Sequence, residues 1–165
     1  MPYQTRFGSL DKFDKGTIEL INDRAKHYVF SNVFDVANRS KPYEKVVVGK
    51  NLQYVIETLR AEGDSAWFAA SHDEFAVVME GEIEVHYIKL EDAQKIAPAS
   101  KEGSVRIQGT PSGKKMGVIK LKRGHQVLLP AGAAYQFRAK KRGVLLLQTI
   151  LGENSIEKWG EICHQ

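Results

Sequence analysis

The chain has 165 residues, 42% of them hydrophobic and 27% charged, the balance of a soluble globular protein rather than a disordered or membrane-spanning one. Its net charge of +4 comes from 24 Lys and Arg against 20 Asp and Glu, and the basic residues fall in short groups, SGKKMG, KLKRGH and RAKKRG, at expected turns and without interleaved aromatics, which argues against nucleic-acid binding. No run approaches the ~20 apolar residues that cross a bilayer, residues 1–16 lack the apolar segment of a secretory signal, and the single cysteine, Cys163, has no internal partner, so a cytoplasmic location is expected, with no membrane or nucleic-acid partner.

The length suits one domain with a substantial core: residues 1–60 as an N-terminal extension with strands, 61–150 as the core and 151–165 as a C-terminal helix. In chain order, period-two patterns and short apolar runs between Gly, Pro and charges predict strands at GTIELIN (16–22), HYVFSNVFDV (27–36), EKVVVGK (44–50) and LQYVIETLRA (52–61). EFAVVME (74–80) and EIEVHYIKL (82–90) follow, with Glu80, Gly81 and Glu82 between them as an expected tight hairpin. Residues 91–115 are polar and rich in Gly, Pro and Ser, and read as a mobile loop or an extra hairpin around SVRIQG. MGVIKL (116–121), QVLLP (126–130), YQFRA (135–139) and GVLLLQTI (143–150) complete the strands. In ENSIEKWGEIC, Asn154 reads as an N-cap and Glu157 as its capping-box partner, with Ile156, Trp159, Gly160 and Cys163 on the face that docks. So many short strands imply an all-β sandwich or barrel.

Strand parity sharpens this expectation. In EFAVVME, Glu74, Ala76 and Val78 face one side and Phe75, Val77 and Met79 the other, so both faces are largely apolar and the outer one needs cover, from the N-terminal sixty residues or from another chain. In EIEVHYIKL, Glu82, Glu84 and His86 form a polar face opposite Ile83, Val85 and Tyr87.

Two spaced half-motifs then stand out. Glu74 and Gly81 fit E-x6-G; Gly124, Pro130 and Gly132 fit G-x5-P-x-G; forty-two residues lie between Gly81 and Gly124. In this order they resemble the two conserved motifs of the cupins, G-x5-H-x-H-x(3,4)-E-x6-G and G-x5-P-x-G-x2-H-x3-N. The resemblance implies a single cupin domain, a jelly-roll-type β-barrel with N-terminal extension strands and a short C-terminal helix. In metal-bearing cupins the motif histidines and glutamate hold Fe(II) or Mn(II) with positions left open. Here the histidine slots fall on Phe68, Ala70 and Tyr135, and only Glu74 remains of the ligand set. The resemblance therefore implies no catalytic residue and no metal in this chain, with Phe68, Ala70, Glu74 and Tyr135 as candidate substrate-pocket residues. The plain alternative for Glu74 is a carboxylate hydrogen-bonded to Tyr135 or to backbone. A relocated metal site built on His72 and Glu74, with His86 and His125, stays open, as does a stand-alone ligand-binding cupin without an enzymatic partner.

The resemblance extends beyond the fold. SKPYEK (40–45), the run from Tyr54 to Val85, the run from Lys115 to Ala139, and GVLLLQTI are similar to the small subunit of the two-component hydroquinone 1,2-dioxygenases. Members of that family serve bacterial breakdown of para-nitrophenol and related aromatics. It implies a hetero-oligomer in which a large catalytic cupin subunit holds Fe(II) and receives the aromatic diol, and this chain supports it.

Overall fold

The computed structural model describes residues 7–163; residues 1–6 and 164–165, which belong to the expected N-terminal extension and C-terminal tail, lie outside the described residues. Among the described residues, ten strands hydrogen-bond into one sheet. They are β1 (Lys45–Asn51), β2 (Tyr54–Asp64), β3 (Trp67–Ala70), β4 (Glu74–Glu80), β5 (Glu82–Leu90), β6 (Ser104–Ile107), β7 (Gly113–Lys122), β8 (Gln126–Leu129), β9 (Ala133–Ile150) and β10 (Ser155–Ile156). Three short helices accompany them, α1 (Val33–Arg39), α2 (Ala93–Ile96) and α3 (Trp159–Ile162).

The 18-residue strand β9 is the spine. Its second half lies between β2, with Tyr54 opposite Ile150, and β4, with Phe75 opposite Gln148; its first half lies between β3, with Phe68 opposite Tyr135, and β5, with Lys89 opposite Ala133. β2 runs on into β3, and β4 into β5, without reversing direction along β9. β7 and β8 follow β5 and β4 in the same way. The sheet therefore curls across a line through Gly63, Gly81, Gly124 and residues 139–143 of β9, and its two halves enclose a core. This is the curled half-barrel of the cupin fold, all-β, with N-terminal additions and a short C-terminal helix.

That curl corrects the expected hairpin at Gly81, which is a bend in a continuing strand. Gly81 has φ of 92°, and a Cβ there would lie 3.0 Å from the Cα of Gly143; a Cβ on Gly143 would lie 2.6 Å from the carbonyl oxygen of Glu80. Two strands bend past each other at this point and leave no room for side chains. In the same way YQFRA and GVLLLQTI are one strand, bent at the basic stretch 139–143.

The N-terminal expectations also change. Residues 16–22 form no strand, and the expected strand 27–36 is replaced by a 3₁₀ turn ending at His27 and by α1. The aromatic and β-branched run reads as a strand by composition, but the side chain of Asn32 accepts from the backbone N–H groups of Phe34 (2.9 Å) and Asp35 (3.4 Å) and starts a helix instead. Phe34 and Ala37 then pack with Leu10, Val144, Phe13 and Met79. The N-terminal segment thus covers Met79 on the outer face of β4, while Phe75 on that face stays 49% exposed.

Residues 91–115 hold α2 and β6, and β6 pairs with β3 rather than forming its own hairpin. At the C-terminus the helix starts after Lys158; Asn154 donates to the carbonyl of Ser104 and Glu157 pairs with Lys50, so the expected capping box does not form. The tail docks through Ile162, which packs with Val36 and Val46.

The main core lies between the two halves and includes Leu59, Val78, Val85, Phe137, Leu145 and Leu147, all essentially inaccessible. Each large apolar side chain there contributes about 1.5–3 kcal/mol by leaving water.

Candidate functional site

The alternation along β4 turns Glu74, Ala76 and Val78 inward, and along β9 it turns Tyr135 and Phe137 inward. Glu74 is wholly buried, an arrangement that demands hydrogen-bond partners. The turn from Pro130 to Ala133, closed by a 3.2 Å hydrogen bond from Ala133 N to the Pro130 carbonyl, delivers β9 so that the Tyr135 hydroxyl donates to Oε2 of Glu74 at 2.8 Å. Phe68, on β3 opposite Tyr135, packs against its ring with centroids 6.0 Å apart, and Ala70 shares the inward parity of Phe68. The structure thus brings Phe68, Glu74 and Tyr135 together, and all four slot residues, Ala70 included, are buried. Two surface clefts, of about 290 and 330 Å³, are lined by other residues, among them Trp67 and Arg106 in one and Tyr87 and Met116 in the other.

Three further polar residues complete the cluster. Lys45, at the start of β1, is 2% exposed and donates through Nζ to Ser104 Oγ and, at 3.5 Å, to Tyr135 Oη. Its ammonium sits 4.3 Å from the centre of the Phe68 ring, a cation-π contact. Glu57, inward on β2, accepts from Ser155 Oγ. Glu57 Oε2 and Glu74 Oε1 have no hydrogen-bond partner. Burial pushes the Glu57 carboxyl above its ordinary range, and the repulsion of Glu74 adds to this, while Lys45 and the Ser155 hydrogen bond pull it back. The Tyr135 phenol is held well above its ordinary value by burial first and by the adjacent Glu74 charge second.

Lys45, Glu57 and Ser104 are not among the residues that the sequence marks as a site. A signal for Glu57 was present: Val55, Glu57, Leu59 and Ala61 alternate on one face of β2, so a carboxylate on an otherwise apolar stripe must be buried. Lys45 reads as the charged end of a strand, yet its parity with Val47 turns it inward.

The histidines go to separate places. His72 Nε2 lies 3.0 Å from Thr149 Oγ1; His86 pairs with Glu84 at 3.0 Å on the polar face of β5; His125 Nδ1 accepts from the Lys122 N–H at the bend before β8. Among the described residues, no three His, Cys, Asp or Glu side chains form a group able to hold a metal. The residues in the cupin ligand slots do not suit a divalent transition metal either. Phe68 and Ala70 offer no donor, Glu74 is engaged by a phenol, and an ammonium lies against that phenol.

No protein-family model and no curated protein matches the chain. Solved structures do. The chain is 57% identical to a chain of hydroquinone 1,2-dioxygenase PnpCD, crystallised in complex with Cd2+ and 4-hydroxybenzonitrile, over 99% of its own length and 98% of that chain's, with a TM-score of 0.92. This chain belongs to the hydroquinone 1,2-dioxygenase family. It is also 50% identical, over 99% of both chains and with a TM-score of 0.95, to a chain of the hydroquinone 1,2-dioxygenase from Sphingomonas sp. TTNP3 with 4-hydroxybenzoate bound. A longer chain of PnpCD, in a structure with Fe3+, is 14% identical with a TM-score of 0.65 over 86% of this chain and 38% of that one, a likeness of fold alone. Membership of the family makes this an oxidoreductase chain of dioxygenase type. No helix among the described residues is long and apolar enough to cross a membrane.

Proposed function

We propose that this chain is the small, non-metal subunit of an Fe(II)-dependent, two-component hydroquinone 1,2-dioxygenase. The observation that carries the reading is the 57% identity, end to end, with one chain of PnpCD, together with the presence under the same name of a second, much longer chain of similar fold. The donor-poor set of Phe68, Ala70 and Tyr135 around Glu74 supports the same division of labour, in which the metal site of this barrel is vacated and the longer subunit carries the iron.

In the assembled enzyme both atoms of O2 enter hydroquinone at the bond beside one hydroxyl, and the ring opens to 4-hydroxymuconic semialdehyde, with no atom left over. Iron in the partner would bind the diol and activate oxygen. This chain's residues supply none of those steps. Their part is to build a rigid barrel and to support the catalytic subunit, in the cytoplasm and as part of a hetero-oligomer.

Co-expression tests the proposal. The chain with a large cupin subunit should cleave hydroquinone, and the chain alone should not; ring cleavage by the chain alone would overturn the assignment.

A further inference from the structure

The ligand slots are poor in metal donors, yet two of them adjoin a cation. The Lys45 ammonium lies 4.3 Å from the centre of the Phe68 ring and 3.5 Å from the Tyr135 hydroxyl, and Tyr135 in turn donates to Glu74 at 2.8 Å. Phe68, Tyr135 and Glu74 hold three of the four positions that carry ligands in metal-bearing cupins, so one nitrogen atom adjoins two of them and reaches the third through a single hydroxyl. Glu57 pairs with Val47, two residues along β1 from Lys45 and on the same inward face, so it lies within the field of that ammonium and of Glu74. The free oxygens of both carboxylates, Glu57 Oε2 and Glu74 Oε1, are buried without any hydrogen bond. Two carboxylates taken out of water need a positive charge close by, and a lone survivor of such a set is strongly destabilising.

We propose that the Lys45 ammonium is this barrel's internal replacement for the metal ion: a covalently tethered cation that offsets part of the negative charge of Glu57 and Glu74 and organises Tyr135 and Ser104 around the old coordination point. A bound metal brings its charge into the folded core only when metal is available. A lysine brings one with the chain itself, and its charge repels a divalent ion from the same place. The barrel can then fold without loading, which suits a supporting subunit.

The proposal rests on reading Phe68, Ala70 and Tyr135 as former ligand slots and not on the dioxygenase assignment, so its test uses stability and metal content rather than turnover. In the full chain, Lys45→Met keeps the length and apolar stem of the side chain and removes only the charge. It should lower the melting temperature by roughly 10 °C or more. Adding Glu57→Gln to Lys45→Met should raise the melting temperature again, because one of the two stranded charges is gone. Should Lys45→Met give no folded chain, recovery of soluble, folded protein in the double variant is the supporting result. A Lys45→Met chain that melts like the wild type, or a double variant no more stable or soluble than the single one, would contradict the proposal. Stoichiometric metal in the wild-type chain would remove the slot reading beneath it.

Discussion

The hydroxyl of Tyr135 donates a 2.8 Å hydrogen bond to Glu74, sixty-one residues earlier, and joins the second half-motif to the first inside the barrel. A phenol thus meets a carboxylate that, in a metal-bearing relative, would face an ion. With Lys45 behind it, the pair forms the sequence ammonium, phenol, carboxylate through a closed interior. Such a chain of donors orders a buried polar cluster without a cofactor.

Tyr135→Phe removes that donor and leaves both oxygens of Glu74 bare, since Oε1 has no partner already. A buried acceptor left unsatisfied costs about 1–3 kcal/mol, so melting should drop accordingly. Turnover per folded complex should stay close to wild type. A fall of a hundredfold or more with unchanged melting would move Tyr135 into the chemistry.

Stability should depend on pH through Glu57. Its carboxyl is raised above the ordinary value of 4.5, chiefly by burial, so between that value and its raised folded value the folded chain holds a proton that the unfolded chain has released. The contribution is fully present below the unfolded value and is lost as pH rises through the folded one. Glu57→Gln should flatten this part of the profile, read as melting temperature against pH from 4 upward. An unchanged slope in the variant would place the dependence elsewhere.

Asn32 caps α1 and also donates to the carbonyl of Asp14 at 2.7 Å, tying the N-terminal segment to the helix. Asn32→Ala should cost about 0.5–2 kcal/mol. Proteolysis should then release the segment that carries Leu10, while the barrel stays folded. Equal protease resistance in wild type and variant would show that the segment is held by its apolar contacts and by the hydrogen bonds of Leu10 to Glu80 and Asn38, without need of Asn32.

Gly81→Ala tests the curl of the sheet. The residue holds φ at 92° against the backbone of Gly143, and a side chain forced into such a position costs of order 1–3 kcal/mol. Gly124→Ala, at φ 85° with open space around it, should cost less. Melting of the two variants side by side checks the difference, and equal losses would mean that the close pass of the two strands adds nothing.

Strands β4, β5, β7, β8 and β9 were legible because of their alternation and apolar runs: Glu74, Ala76 and Val78 face the core, and Glu82, Glu84 and His86 face out, as the parity requires, whereas β10 lies in a stretch that reads as helix. Glu74, Gly81, Gly124 and Tyr135 were located by the resemblance of the two half-motifs to those of the cupins and not by alternation. The bend at Gly81 was hidden, because a period-two pattern interrupted by glycine looks alike whether the chain reverses or continues. Helix α1 was hidden by its aromatic and β-branched run, where one capping side chain outweighs weak local preference. Lys45 was hidden because a charged residue at a strand end is read as exposed, whereas Glu57 stood on the apolar stripe of Val55, Leu59 and Ala61, a signal of burial that does not by itself show that the neighbouring strand brings Lys45 to the same interior.

Metal content of the purified chain, measured by elemental analysis after anaerobic preparation, tests the central claim most directly. The chain alone should carry far less than one iron or manganese, and the co-expressed complex should carry its iron with the large subunit. One metal per isolated chain, lost on Glu74→Gln or His72→Ala, would contradict a supporting subunit and return the chemistry to this barrel.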